Sequence, residues 1–396
     1  MKITKRVLIG YRDVETHCLV YPNLVEILTS KDTAKNKKKK EDLINKLKST
    51  KYWNINNGNK DMRFNAIVSN PPYQIANEND NQNRQAPLYH KFVKLAKEIP
   101  TQYVSMITPA RWYFKNILLG NFSQEFVSDT RISYLHDFTD ASKIFPSVEI
   151  KSGVSYFLWD SDYNGICHIV ENSLGGEIIS ERFLKSEFDD GFIRYSRALP
   201  IIKKIKDHKE DSFSTIVSPQ NPFGFNTKVK GAEKKTNDSI IIISKGRTDL
   251  QERYIDRKSV NLHSEWIDQI KILTPKAAED GVLPGKVISK LHVIGKGKCC
   301  NGTYILIGPF ADNTAKCNNV LKYISTRFFR FLVGVKKPTQ DLKDQTFSLV
   351  PMQNFDSNNE IDWTKDIDNI DKQLYDKYGI EDPERDFIKK LIKTFD

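Results

Sequence analysis

Apolar positions in the first half of the chain alternate between strand-like runs and a helix-like period. "FNAIVS" at residues 64–69 is a strand candidate, and "PLYHKFVKLAKEI" follows it with the spacing of an amphipathic helix. "YVSMITP" is the next strand candidate, and "RISYLHDF" and "GVSYFLW" are two more. Strands and helices that alternate in this way over residues 65–160 are typical of an α/β fold with a mostly parallel sheet.

The pattern changes in the second half of the chain. Short β-rich pieces such as "DSIIIIS" and "GTYILIG" stand between loops rich in glycine, proline, asparagine and lysine, and "NNVLKYISTRFFRFLV" has the period of one long helix. We therefore predict two domains: an α/β domain at residues 1–170 and an α+β domain at residues 190–396.

Composition narrows the class of protein. The 396 residues are 39% hydrophobic, and no run of about eighteen apolar residues occurs, so we predict no membrane span. The N-terminal apolar stretch is too short for a signal peptide, and the five cysteines lack the spacing of a zinc site. We therefore expect a cytoplasmic protein with reduced thiols and no metal site. The formal net charge of +11 favours a polyanionic partner.

A four-residue motif, Asn70-Pro71-Pro72-Tyr73, follows the first strand candidate and carries specific chemistry. Proline fixes its own φ and has no N–H, so two prolines stop the strand abruptly. The amide oxygen of Asn70 and the carbonyl of Pro71 can then both accept hydrogen bonds from one exocyclic amino group, and Tyr73 offers a ring for a flipped base to stack on. Ligands of open α/β sheets bind at this carboxyl end of the strands.

The neighbouring sequence sharpens the interpretation of the motif. Seven further segments of the chain contribute to it: "PLYHKFVKLAKE", "SMITPARWYF", "DASKIFPSVEIKSGVSYFLWDSDYNG", "GTYILIGPF", "STRFFRFLVGVKKPTQ", "LVPMQNF" and "LYDKYGI". With the motif they resemble, over residues 60–390, the N6-adenine DNA methyltransferases of type II restriction–modification systems, in a gamma-like motif order. The resemblance implies a Rossmann-like class I methyltransferase sheet, incomplete at its N-terminus, followed by an α+β target-recognition domain.

The resemblance also implies roles for single residues. Asn70 and the Pro71 carbonyl accept from the amino group of an adenine flipped out of double-stranded DNA, Pro72 keeps the acceptors rigid, and Tyr73 stacks on the base. Phe145, in the later Phe-Pro pair, covers the other face of the adenine. The methyl donor is S-adenosylmethionine, and a cognate restriction endonuclease is an expected partner.

This sequence departs from the family pattern at the site that binds the methyl donor. The family places a glycine-rich turn before the Asn-Pro-Pro-Tyr motif, and we find none among the 69 residues that precede Asn70. Asp13 and Asp61 are candidates for donor binding. The chain is thus expected to start after the first strand of its sheet, with a partner chain that supplies the missing turn. An alternative is a catalytically incomplete fragment, or half of a split enzyme, that acts as a DNA-specificity module.

Two groups of cations in the second half fit a DNA-binding domain. Lys245 and Arg247 follow an apolar strand candidate, and Lys336 and Lys337 follow an apolar helix. We predict that these four residues contact backbone phosphates. Arg330 can equally contact phosphate or extend along apolar surface.

A third hypothesis is a nuclease. Asp137, followed by Glu149 and Lys151, imitates an acid followed by Glu-x-Lys, in which the acids hold Mg²⁺ and the lysine assists the attacking water. The same segment lies inside the methyltransferase resemblance, where it joins two strands of the sheet, so this hypothesis ranks below the other two.

Overall fold

The computed structural model forms two compact units, Met1–Arg194 and Tyr195–Asp396, which we call unit 1 and unit 2. It describes residues 8–9, 17–18, 24–30, 32–49, 64–76, 85–113, 117–148, 150, 152–173, 176–189, 191–246, 249–277, 283–337, 341–356 and 360–395. The functions that we assigned to residues 1–170 and 190–396 stay predictions.

Unit 1 contains ten strands and four α-helices within its described residues. The strands are β1 (Leu8–Ile9), β2 (His17–Cys18), β3 (Phe64–Ser69), β4 (Gln74–Ala76), β5 (Gln85–Pro87), β6 (Thr101–Pro109), β7 (Ile132–Phe138), β8 (Val154–Asp160), β9 (Cys167–Ser173) and β10 (Gly176–Arg182). The helices are α1 (Leu24–Thr29), α2 (Ala34–Lys48), α3 (Tyr89–Glu98) and α4 (Phe122–Val127).

The central sheet of unit 1 has six strands in the order β10-β9-β7-β8-β6-β3. Strand β3 pairs parallel with β6, and β7 pairs parallel with β9, whereas β8 runs antiparallel to both of its neighbours. The predicted α/β class is confirmed, but the sheet is mixed and not mostly parallel. The reason is that β8 returns between β6 and β7, and the apolar pattern of a strand carries no information about its direction.

One face of the sheet forms the main core of unit 1. Alternate residues of the strands point to this face, among them Val104 and Met106 of β6, and helix α3 packs Phe92 and Val93 against them. The opposite face carries a smaller cluster, in which Phe138, Ala141 and Val154 are buried. Both faces of the sheet are therefore covered by packed side chains.

Unit 2 is an α+β assembly. Its strands are β11 (Ser239–Lys245), β12 (Leu250–Asp256), β13 (Lys271–Pro275), β14 (His292–Ile294), β15 (Lys298–Cys300) and β16 (Tyr304–Ile307), in two three-stranded sheets, β12-β11-β15 and β14-β13-β16. Its helices are α5 (Ala198–Asp207), α6 (Thr314–Ser325), α7 (Arg327–Lys336), α8 (Ile367–Lys377) and α9 (Asp382–Leu391).

The single long helix predicted near residue 326 is in fact two helices, α6 and α7. Thr326 lies between them in an extended conformation, and its hydroxyl accepts the N–H of Phe329. The buried carboxylate of Asp371 accepts the N–H groups of Arg327 and Phe328. These bonds satisfy the free N–H groups of a new helix start, which is why a threonine within a helical period breaks the helix here.

Two features bear on the predicted class of protein. No helix in the described part of the chain is long and apolar enough to cross a membrane. In the same residues, no three histidine, cysteine, aspartate or glutamate side chains converge as metal ligands, and the four cysteines described with their side chains are unpaired and buried. Burial raises the pKa of the Cys299 thiol to about 12, so this thiol is unreactive at neutral pH.

A compact charge network holds the start of β7. Asp129 lies 2.8 Å from the Lys97 ammonium and 2.7 Å from Nε of Arg131, and it accepts the indole N–H of Trp159 at 3.1 Å. Burial favours a raised pKa for this carboxyl, but the hydrogen bonds and charges of Arg131 and Lys97 prevail and lower its pKa to about 2.

This network predicts acid-sensitive stability. A carboxyl whose pKa is lower in the folded state stabilises the fold above its unfolded value near 4, and the stabilisation is lost as pH falls towards 2. We expect Asp129→Asn to lower the free energy of unfolding at pH 7 by about 2 kcal/mol. The free energy of unfolding of this variant should also change less with pH between pH 4 and pH 2, and urea unfolding measures both effects. The exposed Asp162→Asn is the control, and equal pH profiles for both variants would contradict the prediction.

Candidate active site

The Asn-Pro-Pro-Tyr motif lies at the carboxyl edge of the sheet in unit 1. Strand β3 ends at Ser69, opposite Met106 of the parallel strand β6, and Asn70 follows at once. After the two prolines the backbone turns into β4, and the carbonyl of Tyr73 accepts the N–H of Leu88 at 2.9 Å. The motif is thus held from both sides, by the β3–β6 ladder before it and by the β4–β5 hairpin after it.

Asn70 presents its side chain to solvent, whereas Pro71 behind it is buried. No other described residue makes a hydrogen bond to the Asn70 amide. Its oxygen is therefore an unoccupied acceptor, carried by a backbone whose movement the buried Pro71 limits. This is what positioning of an incoming amino group requires.

Tyr73 contributes an aromatic ring and not a hydrogen bond. The ring is half-buried and packs against the main core of unit 1, and the hydroxyl has no hydrogen-bond partner among the described residues. Burial raises the pKa of Tyr73 to about 12, so the side chain is neutral at physiological pH.

Phe145 approaches Tyr73, as the predicted base-stacking pair requires. The ring centroids are 6.4 Å apart with an interplanar angle of 74°, an edge-to-face contact. Phe145 packs on the smaller core cluster with Phe138 and Val154. A base stacked between two parallel rings needs a centroid separation of about 7 Å, so one ring must turn to admit it.

The loop that carries Phe145, residues 139–153, is anchored where it enters β8. Gly153 has a φ of +73°, and a Cβ there would lie 2.1 Å from the carbonyl oxygen of Phe138, so only glycine fits. The Gly153 carbonyl accepts the N–H of Ala110, directly after β6, at 3.1 Å. The loop of Phe145 is therefore joined to the carboxyl end of the strand beside β3.

A buried ion pair strengthens this anchor. Arg194 places Nε 2.8 Å from Oδ2 of Asp137, and its Nη2 donates to Asp137 at 3.0 Å and to the Ser152 carbonyl at 2.7 Å. The hydroxyl of Tyr113 donates to the same carboxylate at 2.5 Å. One guanidinium thus joins the end of β7 to the end of the Phe145 loop.

The same geometry corrects the nuclease hypothesis. Asp137 is 1% exposed and is occupied by Arg194 and Tyr113, so it is not available to a Mg²⁺ ion that enters from solvent. Burial raises the pKa of Asp137, and Arg194 opposes that rise. Glu149 and Lys151 lie outside the described residues. The assignment of Asp137 as a metal ligand is wrong, because its charge already has a buried partner.

The other predicted site residues are distributed as follows. Asp13 and Asp61, the candidates for donor binding, and Arg247 lie outside the described residues, so their roles stay predictions. Lys245 is exposed at the end of β11, as a phosphate contact requires. Lys336 is half-buried at the end of α7.

Lys337 and Arg330 have interior positions instead. The Lys337 side chain is buried, and its ammonium donates to the Val287 carbonyl at 3.0 Å. Arg330 is 1% exposed and donates to the Lys393 carbonyl at 2.6 Å. Neither side chain is available to DNA phosphates, so the prediction for Lys337 is corrected to a structural role.

Sequence reasoning missed Tyr113 and Arg194. They are 24 and 57 positions away from Asp137, and no local pattern connects them. A buried arginine with a carboxylate partner has no signature in a single sequence.

Comparison with known proteins identifies the part of the chain that carries this site. Residues 1–145 match the family model of the Eco57I restriction-modification methylase. The predicted resemblance is therefore confirmed over these residues, which include Asn70, Tyr73 and Phe145. An uncharacterized adenine-specific methylase of Mycoplasma pneumoniae is 35% identical over 107 residues. That alignment covers 26% of this chain and 25% of the relative, so the chain matches a quarter of that protein's length.

Solved restriction–modification enzymes show weaker similarity. The Type IIL restriction-modification enzyme MmeI, in complex with DNA, is 9% identical with a TM-score of 0.43, and the match covers 81% of this chain and 55% of that chain. The type IIG restriction endonuclease BpuSI is 11% identical with a TM-score of 0.32, over 78% of this chain and 48% of that chain. Similarity at this level carries no argument about the site.

The Arg194 anchor generates a test. Arg194→Met leaves the Asp137 carboxylate buried without its cation, which we expect to cost roughly 3–5 kcal/mol of folding free energy in denaturant unfolding. Adding Asp137→Asn removes the uncompensated charge but keeps an acceptor for Tyr113, so the double variant should recover more than 1 kcal/mol of that loss. Additive losses would show that the two residues do not act as a pair.

Proposed function

We propose that this chain is a site-specific DNA methyltransferase, which transfers a methyl group from S-adenosylmethionine to N6 of adenine in duplex DNA as part of a restriction–modification system. The observation that carries the proposal is the placement of Asn70 and Tyr73 at the carboxyl edge of the sheet, with the Tyr73 ring against Phe145. Support comes from the family match over residues 1–145.

In this proposal Asn70 and Pro71 orient the adenine amino group. The Asn70 amide oxygen and the Pro71 carbonyl each accept one N–H of the amino group, which turns the nitrogen lone pair towards the methyl group. The backbone that carries both acceptors is held before the substrate arrives, which reduces the reorganisation needed in the transition state. As the C–N bond forms, the S–CH3 bond of the donor would break and S-adenosylhomocysteine would leave; the methylated nitrogen would then lose its extra proton to water, so no strong base is required.

Tyr73 and Phe145 would hold the flipped base between their rings. Stacking on aromatic side chains is worth about 1–3 kcal/mol per base and compensates part of the cost of unpairing. Both rings are half-buried and touch edge to face, and the base would replace that contact when it enters.

S-adenosylmethionine would supply the electrophilic methyl group. The described residues leave the Asn70 amide accessible to such a donor. Asn70 is exposed, and Val68, two positions earlier along the chain, is 58% exposed. A ligand can therefore reach the amide from solvent. Asp13 and Asp61 are the proposed donor-binding residues. Unit 2 is the proposed target-recognition domain, with Lys245, Arg247 and Lys336 as phosphate contacts.

The competing hypothesis is a DNA-specificity module that needs a second chain for methyl transfer. Calorimetric titration of the purified chain with S-adenosylmethionine, with and without duplex DNA, separates the two. Micromolar binding supports a complete methyltransferase, and no binding in either condition supports the module.

Asn70→Ala should slow methylation strongly and leave DNA binding intact. Loss of one preorganised acceptor is expected to lower the rate about 10²–10³-fold, because the amide acts on the reacting amino group. The measurement is N6-methyladenine formed in DNA free of adenine methylation, together with the Kd for the same DNA.

The matched control is Asn65→Ala, which changes an exposed asparagine of β3, the strand that Asn70 follows. This variant should keep full activity. Parallel loss of binding and methylation in Asn70→Ala would make Asn70 a structural residue and contradict the proposed mechanism.

Tyr73→Phe and Tyr73→Ala test whether the ring or the hydroxyl matters. The hydroxyl has no described partner, so Tyr73→Phe should keep activity within about threefold. Tyr73→Ala should lose about 1–3 kcal/mol of base stacking, which corresponds to a rise in KM of roughly fivefold to 150-fold. Comparable defects in both variants would show that the hydroxyl contacts the substrate.

A further inference from the structure

Residues 226–238 of unit 2, here called the basic loop, carry four lysines that the sequence-based prediction of DNA contacts left out. The segment reads "NTKVKGAEKKTND", and its lysines are Lys228, Lys230, Lys234 and Lys235. All four side chains are exposed. None of them has an ion-pair or hydrogen-bond partner for its ammonium group in the described part of the chain.

The basic loop is a fixed structure. Asn301, which is 1% exposed, donates its amide hydrogens to the carbonyls of Thr227 at 3.3 Å and Val229 at 2.8 Å. Ala232 exchanges two backbone hydrogen bonds with Tyr254 of β12, at 2.7 and 2.8 Å. The loop therefore extends the β12-β11-β15 sheet and holds its lysines on an ordered backbone.

A close approach of backbones at Gly231 strengthens this attachment. Gly231 has a φ of +77°, and a Cβ there would lie 2.6 Å from the Ile242 side chain and 2.7 Å from the Tyr254 carbonyl oxygen. A glycine is therefore required where the loop meets the sheet.

Four other surface lysines of unit 2 have carboxylate partners instead. Lys203, Lys296, Lys298 and Lys316 each lie within 3.5 Å of a carboxylate. In the basic loop Glu233 is already paired with Arg253 at 3.0 Å. Four like charges held on one ordered segment repel each other, and an external anion would relieve that repulsion.

We propose that the basic loop is a phosphate-contact surface for duplex DNA. The proposal rests on the proposed function, which makes DNA the substrate. A membrane surface fits less well, because such surfaces combine cations with exposed large apolar side chains, and Val229 of the loop packs on the core of unit 2. DNA offers anions at regular spacing, to which ordered cations can bind without further loss of backbone freedom.

Phosphate contacts have a measurable signature. Each neutralised phosphate releases counterions, so the slope of log Kd against log salt concentration changes by about 0.9 per contact on duplex DNA. These contacts are independent of base sequence, so a fluorescent 30-base-pair duplex of arbitrary sequence is a sufficient probe.

The experiment compares two quadruple variants of the full chain between 50 and 200 mM NaCl. In the first, Lys228, Lys230, Lys234 and Lys235 are changed to Gln. In the second, Lys203, Lys296, Lys298 and Lys316 are changed to Gln, which removes the same number of positive charges. The first variant should reduce the slope by about 3–4, and the second by less than about 1.

Equal slopes for the two variants would overturn the proposal, because binding would then depend only on net charge. Absence of duplex binding by the unchanged chain at 50 mM NaCl would overturn it as well. Binding with the expected slopes but without methylation would refute the proposed enzyme function and leave the DNA surface established. Thermal melting of each variant checks that the fold is retained.

Discussion

The two prolines after β3 are the constraint on which the candidate site depends. Pro71 and Pro72 cannot continue the hydrogen-bond ladder with β6, so the strand ends at a defined residue of the parallel pair. The side chain before them is then exposed at the carboxyl edge, and the ring after them turns back onto the core. A strand that ended by fraying would leave Asn70 and Tyr73 without a fixed mutual position.

A second constraint fixes the loop that carries Phe145. The Phe145 loop belongs to a different strand connection, and nothing in the Asn-Pro-Pro-Tyr motif determines its place. The Asp137–Arg194 pair and the backbone contact of Gly153 supply that information. Buried ion pairs contribute little net stability, since desolvation offsets most of the attraction. Their value here is geometric, because Arg194 contacts both Asp137, which also binds Tyr113, and the Ser152 carbonyl.

Sequence reasoning succeeded where information is local. Strands β7 and β8 and helix α3 follow from apolar period, and the candidate catalytic residues follow from four adjacent positions. Sequence reasoning failed where residues far away in the sequence determine the surroundings of a side chain. Lys337 appears as a surface cation until the Val287 carbonyl, 50 positions away, is placed against it. Asp137 resembles a metal ligand until Arg194 is placed beside it. At Thr326 a hydroxyl cap and the Asp371 carboxylate override a continuous helical period.

These observations point to a division of work between the two units. In unit 1 the buried Asp137 carboxylate at the end of β7 is paired with Arg194 and Tyr113, whereas the Asn70 amide is exposed and has no hydrogen-bond partner among the described residues. In unit 2 the unpaired charges lie on a loop that buried Asn301 keeps in place. In the proposed function, charge contacts with phosphates would bring affinity without sequence information, whereas the carboxyl edge of unit 1 would act on a single base. Preorganisation of the backbone is common to both: hydrogen bonds made on folding hold the segments that carry Asn70 and the four lysines, so the entropy of ordering that backbone is lost on folding and not on binding.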